Sequence, residues 1–253
     1  MSKEFTEVSG NSIITDIRTI KKTLELSPEN VKRIYITHEF LVEHSDWKSF
    51  LAHAGVPYRI SSRDWLDAYA AQHHGIVVFL ENVSFLTFEH LLRKLEGKET
   101  ALVVIFDKIT DVGNFNAMIR TAYATGVDGV IIPKIGATTD VKKSLIGSAG
   151  STFCIDLCKV TNISRALEDL KKRGYWIVGT EAGGHTQFWD HNFSEKIALV
   201  VGSEEKGVRP NILKNCDFIV TIPTVNHIDS LNVSVSFGII LYEILRQRKL
   251  DRI

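Results

Sequence analysis

A chain of 253 residues with 44% apolar content can bury one large core or two modest ones. Its 30 basic and 30 acidic residues cancel, so no global field draws it to nucleic acid or membrane, and polyanion binding has to come from a local patch. No apolar run approaches the roughly 20 residues of a bilayer span, and MSKEFTEVSG lacks a signal-peptide core, so no membrane role and a cytoplasmic location are expected.

The first ninety residues alternate helix and strand. Ile13, Ile17, Ile20 and Leu24 recur at helical spacing, widened by Ile14. Val31 to Thr37 reads as a strand, and Trp47, Phe50, Leu51 and Ala54 as a helical face that stops at Gly55. Val56 to Ile60 is a predicted strand, Trp65 to Ala71 a helix, and Gly75 to Leu80 a buried strand. Residues 1–81 thus make a small α/β unit, and the polar stretch 82–100 reads as a short helical linker.

A larger α/β unit spans 101–253. Ala101 to Phe106 is a continuous apolar strand, as expected where both faces of a parallel sheet are covered. A helix starts near Asn114, with Phe115, Met118, Ile119 and Ala122 inward and Gly126 at its end. Predicted next are a strand at Gly129 to Ile132, a weaker helix around Asp140 to Ile146 and a strand at Thr152 to Leu157. A helix capped at Thr161-Asn162 ends at Gly174. Strands at 175–179, 197–201 and 218–222 follow, then a last helix with Leu231, Val235, Ile239, Tyr242 and Leu245 on one face.

The three loops after those last strands are rich in small residues with free backbone donors, and in an open α/β sheet the ligand crevice lies beyond such carboxyl ends. None is a Walker loop or a Gly-x-Gly-x-x-Gly turn, which disfavours a ligand held by its phosphates. Ordinary strand–loop–helix units would look much the same. Cys154, Cys158 and Cys216 have no second pair and no histidine partners nearby, so small buried thiols and no metal are expected.

The segments FDKITDVGNFNAMIRTAYATGVDGVIIP, ALVVGSEEKGV and IPTVNHIDSLNVSVSFGIILYE, in that order, resemble the three motifs of the SpoU/TrmH branch of SPOUT RNA 2′-O-ribose methyltransferases. The likeness covers about Ala101 to Arg248, and the first unit is similar to the small RNA-binding domain common in these enzymes. The resemblance implies a trefoil-knotted α/β domain with a mostly parallel sheet. It also implies S-adenosylmethionine held by backbone groups at Thr180, Gly202, Ile222, Leu231 and Asn232. A homodimer is implied too, with cofactor sites near its interface.

By the same match, the polar residues of the reaction are Asn114, Arg120, Glu204, Ser230 and Asn232. Singly, each has a plainer role: Asn114 a helix N-cap, Arg120 a solvated helix residue, Glu204 a loop carboxylate, Ser230 a cap for the last helix. Together they form a set that the chemistry can use. Arg120 is the family's suggested base, but a guanidinium is effectively always protonated, and binding the target phosphate while stabilising a developing alkoxide is the milder role. Two positions depart from the family's pattern. Gly113 replaces the usual Pro, as in related thiostrepton-resistance enzymes, and Asn116, four residues before Arg120, stands where many relatives have Gly.

The first unit would grip RNA with Lys32, Arg33, Arg59 and Arg63, read from charge alone. Relatives with such a unit mostly act on 23S ribosomal RNA, the expected substrate here, including resistance-type enzymes. A tRNA ribose methyltransferase and a non-catalytic RNA-binding or ribosome-assembly protein are the alternatives.

Overall fold

The computed structural model describes residues 12–80, 85–136, 154–184, 186–225 and 230–250, with side chains through Arg248. The described residues divide into two units.

The first is built on strands β1 (Ser12–Ile14), β2 (Val31–Ile36), β3 (Tyr58–Ile60) and β4 (Ile76–Leu80), in the order β1-β4-β2-β3. Strand β4 runs antiparallel to β1 and β2, and β3 parallel to β2. Its helices are α1 (Ile17–Leu26), α2 (His38–Glu43), α3 (Trp47–Ala54) and α4 (Arg63–Asp67). One sheet face, with Ile14, Ile34, Ile36, Ile76 and Val78, packs on Leu24 of α1, Phe40 of α2 and Leu51 of α3. The other face carries Val77 and Phe79, with Leu66 of α4 against them.

Two sequence readings change here. Ile13 and Ile14 are strand, paired with Phe79 and Val78, because Asp16 starts the helix only afterwards by accepting the Thr19 amide at 2.8 Å. Helix α2 was not expected; Thr37 caps it through Oγ1, which accepts the Phe40 amide at 3.2 Å.

The second unit contains α5 (Phe88–Leu95), β5 (Leu102–Asp107), α6 (Val112–Ala124), β6 (Gly129–Pro133), β7 (Leu157–Val160), α7 (Ile163–Lys171) and β8 (Trp176–Thr180). It continues through β9 (Thr186–Gln187), β10 (Ile197–Gly202), α8 (Pro210–Leu213), β11 (Phe218–Thr221) and α9 (Val233–Leu250). The seven strands make one parallel sheet of order β7-β6-β5-β10-β8-β11-β9. Strands β5 and β10 lie side by side in its middle and are buried at every residue, which is why both read as unbroken apolar runs.

One side of this sheet buries Leu91 and Leu95 of α5, Leu167 and Leu170 of α7, and Ile212 of α8 against Val103, Ile105 and Val200. The segment expected to be a helical linker therefore places its leucines in this core. On the other side Phe106 meets Phe115 of α6 at 5.9 Å and Phe237 of α9 at 5.5 Å, both edge to face. The strand expected at 152–157 lies at Leu157–Val160, and the helix expected at 140–146 falls outside the described residues.

The last helix is turned relative to the sequence reading. Val233, Phe237, Ile240, Leu241 and Ile244 are buried, whereas Val235, Ile239 and Tyr242 are exposed. Both stripes are apolar at helical spacing, so periodicity alone had no means of choosing between them.

Candidate active site

Strands β8, β10 and β11 end side by side, and the loops that leave them enclose a cavity of about 370 Å³. Thr180, Gly202, Glu204, Ile222, Ser230 and Leu231 are among its lining residues. Thr180 closes β8, its hydroxyl donating to the Val200 carbonyl at 3.2 Å. Ile222 and Leu231 are half-buried.

Gly202 is the tightest point. It pairs with Asp107 across the sheet, and the chain then turns back at once: the Ser203 amide donates to the Gly207 carbonyl at 3.2 Å and the Gly207 amide to the Ser203 carbonyl at 2.8 Å. A Cβ on Gly202 would lie 1.9 Å from the Gly207 carbonyl carbon, which no relaxation of a side chain can relieve. Position 202, on the cavity wall, therefore admits only glycine.

The loop is pinned behind this turn by a pair that the sequence reading missed. Asp107, fully buried at the end of β5, accepts Arg209 Nε at 2.8 and 3.1 Å and the Arg209 backbone amide at 3.0 Å. A carboxylate closing a six-residue apolar strand was its only trace in the sequence. Lost to one partner, such a buried charge is costly.

At the rim of the cavity three of the expected polar residues join. Asn114 Nδ2 donates to Glu204 Oε2 at 2.9 Å, and Asn232 Nδ2 donates to Asn114 Oδ1 at 3.0 Å and to Glu204 Oε1 at 3.2 Å. These residues lie 90 and 118 positions apart along the chain, and α6, the 203–209 turn and the start of α9 bring them together. Asn114 is not the N-cap of its helix. Asp111 takes that place by accepting the Asn114 amide at 2.7 Å, which frees the Asn114 side chain for the cluster. Asn232, not Ser230, caps α9: its Oδ1 accepts the Ser234 amide at 3.0 Å. With the acceptor end of that amide committed to the helix, the donor end has to face Asn114 and Glu204.

Arg120 is not in this cluster. It is exposed on α6 six residues past Asn114, about 9 Å along the axis at 1.5 Å per residue. Asn116, one turn before Arg120 on α6, is 6% exposed, whereas Arg120 is exposed.

Cys158 is buried and Cys154 and Cys216 half-buried, with no disulfide; burial pushes the Cys158 and Cys216 thiols up to about 12, far from a reactive thiolate. Among the described residues no three His, Cys, Asp or Glu side chains converge as metal ligands, and no helix is long and apolar enough to cross a membrane.

A pocket beyond the carboxyl ends of adjacent parallel strands, with room for a small molecule, is the place where open α/β proteins take their ligands. Residues 101–242 match the SpoU rRNA methylase family. A TrmH family tRNA/rRNA methyltransferase of Staphylococcus aureus is 36% identical over 179 residues, covering 70% of this chain and 72% of its own length. The solved SpoU methyltransferase AviRb from Streptomyces viridochromogenes, in complex with the cofactor AdoMet, superposes with a TM-score of 0.75 at 26% identity, covering 95% of this chain and 91% of its own. A TrmH/SpoU tRNA modifying enzyme of A. aeolicus is 32% identical with a TM-score of 0.54, covering 65% of this chain and 84% of its own.

The chain belongs to the SpoU methylase family. It is an S-adenosylmethionine-dependent RNA methyltransferase. The cavity fits that cofactor in size and in kind, with an enforced glycine and the ends of three strands on its wall.

Proposed function

We propose that the protein methylates a ribose 2′-oxygen in structured RNA, with 23S ribosomal RNA as its substrate, and that it works as a homodimer in the cytoplasm. The observation that carries this reading is the Asn114–Glu204–Asn232 cluster on the rim of the cavity. When bound, S-adenosylmethionine supplies the electrophilic methyl group. Backbone groups at Thr180, Gly202, Ile222 and Leu231, and Asn232 at the start of α9, hold it in this reading.

The protein has to fix the ribose hydroxyl, ease removal of its proton and exclude competing water. Glu204, held by two amide donors, keeps the 203–209 turn in one position and presents a fixed carboxylate at the rim. Ser230 lines the same cavity. Arg120 binds the target phosphate and stabilises the developing alkoxide, as a permanently charged guanidinium can.

The exposed stripe of Val235, Ile239 and Tyr242 on α9 supports the homodimer, since a second copy would cover it, and Tyr123 on the neighbouring α6 is also exposed. Arg120 lies on that same α6, which accounts for its distance from the cluster if two chains build one site. The trefoil threading of the last segment belongs to this reading, supported by the likeness to AviRb over 95% of the chain. Ribosomal RNA is favoured by the folded first unit, because the match to the tRNA modifying enzyme covers only 65% of this chain.

Tritium transfer from labelled S-adenosylmethionine to bulk ribosomal RNA and bulk tRNA, with Arg120→Ala as control, tests the proposal. Label in 23S RNA that vanishes in the variant is expected. Label in tRNA alone would overturn the substrate. No label in either, with cofactor bound, would make the protein a binding factor. Sedimentation of the protein at micromolar concentration as a monomer would refute the dimer.

A further inference from the structure

The sheet of the first unit has two unequal faces. Among the described residues, helices α1, α2 and α3 cover one, and the other carries only the five-residue α4. On that second face Tyr35, Trp65 and Tyr69 are half-buried and form a run of rings, with centroids 4.2 Å apart from Tyr35 to Trp65 and 4.5 Å from Trp65 to Tyr69. Phe79 lies beneath and meets Tyr35 and Tyr69 edge to face at 5.6 and 5.2 Å.

Guanidiniums border this run. Arg59 is paired with Tyr35 across β2 and β3, and Arg33 with Phe79 across β2 and β4, so both share the aromatic face. Arg63 opens α4 two residues before Trp65. All three are exposed, and among the described residues none of their guanidiniums makes a hydrogen bond or salt bridge. The carboxylates on α4 are Asp64 and Asp67, and Asp67 lies 3.2 Å from His73 Nε2; Glu39 on α2 is near enough to feel Arg63.

We propose that this face takes unpaired RNA nucleotides, with bases stacked on Tyr35, Trp65 and Tyr69 and phosphates paired with Arg33, Arg59 and Arg63. Bases in an A-form duplex bury their ring faces in the stack and offer little to such a surface, whereas single strands present them freely. Stacking is indifferent to sequence, so the face selects for unpaired structure and leaves the choice of nucleotide to the catalytic site. The inference rests on RNA being the substrate, as proposed above, and adds that the first unit recognises a loop or bulge within it.

The test uses the full-length protein and a short mixed-sequence RNA carrying 2-aminopurine, as a single strand and as a duplex. Quenching on binding the single strand, with clearly weaker duplex binding, is expected. Tyr35→Leu, which keeps apolar bulk but removes the ring, should weaken single-strand binding about tenfold. Because Tyr35→Leu disturbs packing, Arg33→Gln with Arg59→Gln is the second variant. It should keep its melting temperature and lower the salt slope of log affinity by about 1.4, at about 0.7 per phosphate. Equal binding of duplex and single strand, or wild-type affinity in both variants, would overturn the proposal and leave the face to a protein partner. Wild-type methyl transfer to RNA by Tyr35→Leu would likewise overturn it without touching the catalytic reading. Loss of methyl transfer in the wild type with quenching intact would do the reverse.

Discussion

Two polar clusters hold the same short turn, residues 203–209, and they are built on opposite principles. Asp107 and Arg209 form a pair whose carboxylate is sealed from water at the end of β5. Asn114, Glu204 and Asn232 form an open cluster of amides and a carboxylate at the cavity rim. The pair is dear to break because its carboxylate is buried and spent on Arg209, so its role is to hold the turn. The open cluster contributes little to stability, since exposed polar contacts are screened, and it lies at the rim where the proposed reaction would bring RNA and cofactor together. Stability and the proposed chemistry are thus divided between two ends of one loop.

The sharpest way to break that division is at the glycine both clusters depend on. Gly202→Ala forces a Cβ into the Gly207 backbone, so the turn has to leave the end of β10. Cofactor binding measured by calorimetry should fall below detection, and wild-type binding would show that the turn can shift freely. Next comes Arg209→Met, which strands the Asp107 carboxylate; the expected loss is about 3 kcal/mol, or a drop in Tm of about 6–12 °C for a chain of this size. Adding Asp107→Asn should restore part of that loss, and a melting curve without recovery would assign the cost to packing.

Asn232→Ala removes both a cluster member and the cap of α9, so about 1 kcal/mol of stability should go with it. Glu204→Gln separates the two roles more cleanly. Its melting temperature should stay within about 2 °C of the wild type, while kcat/KM for RNA falls about tenfold or more, a barrier increase of about 1.4 kcal/mol. A stability loss there as large as that of Arg209→Met would erase the contrast between the two clusters. Lys172→Ala, at a surface pair with Asp169 by the C-terminal end of α7, should change stability by less than about 0.5 kcal/mol and serves as the baseline.

Much of the fold was legible in the residues. The unbroken apolar runs of β5 and β10 announced a covered parallel sheet, and Asn162 and Gly174 marked the ends of α7 and its turn. Less legible were the short elements of the first unit, where Asp16 and Thr37 decided starts that apolar spacing blurred. The outward face of α9 was unreadable because that helix has apolar residues on both sides. Within the site, Asn114, Glu204, Ser230 and Asn232 stood out through their motifs, whereas Asp107 and Arg209 did not, because a lone acid and a lone base 102 residues apart carry no local pattern.

The sequence by itself determined the periodicities, the strand cores and the loops that had to carry small residues, since each is fixed by a few neighbouring side chains. Only the tertiary structure decided which side of α9 is buried and that Asp107 finds Arg209. Only there, too, does one amide of Asn232 cap a helix with its oxygen while its nitrogen joins Asn114 and Glu204. Those outcomes depend on groups about 30 to 120 positions apart meeting across a sheet, and no local preference of the chain encodes such a meeting.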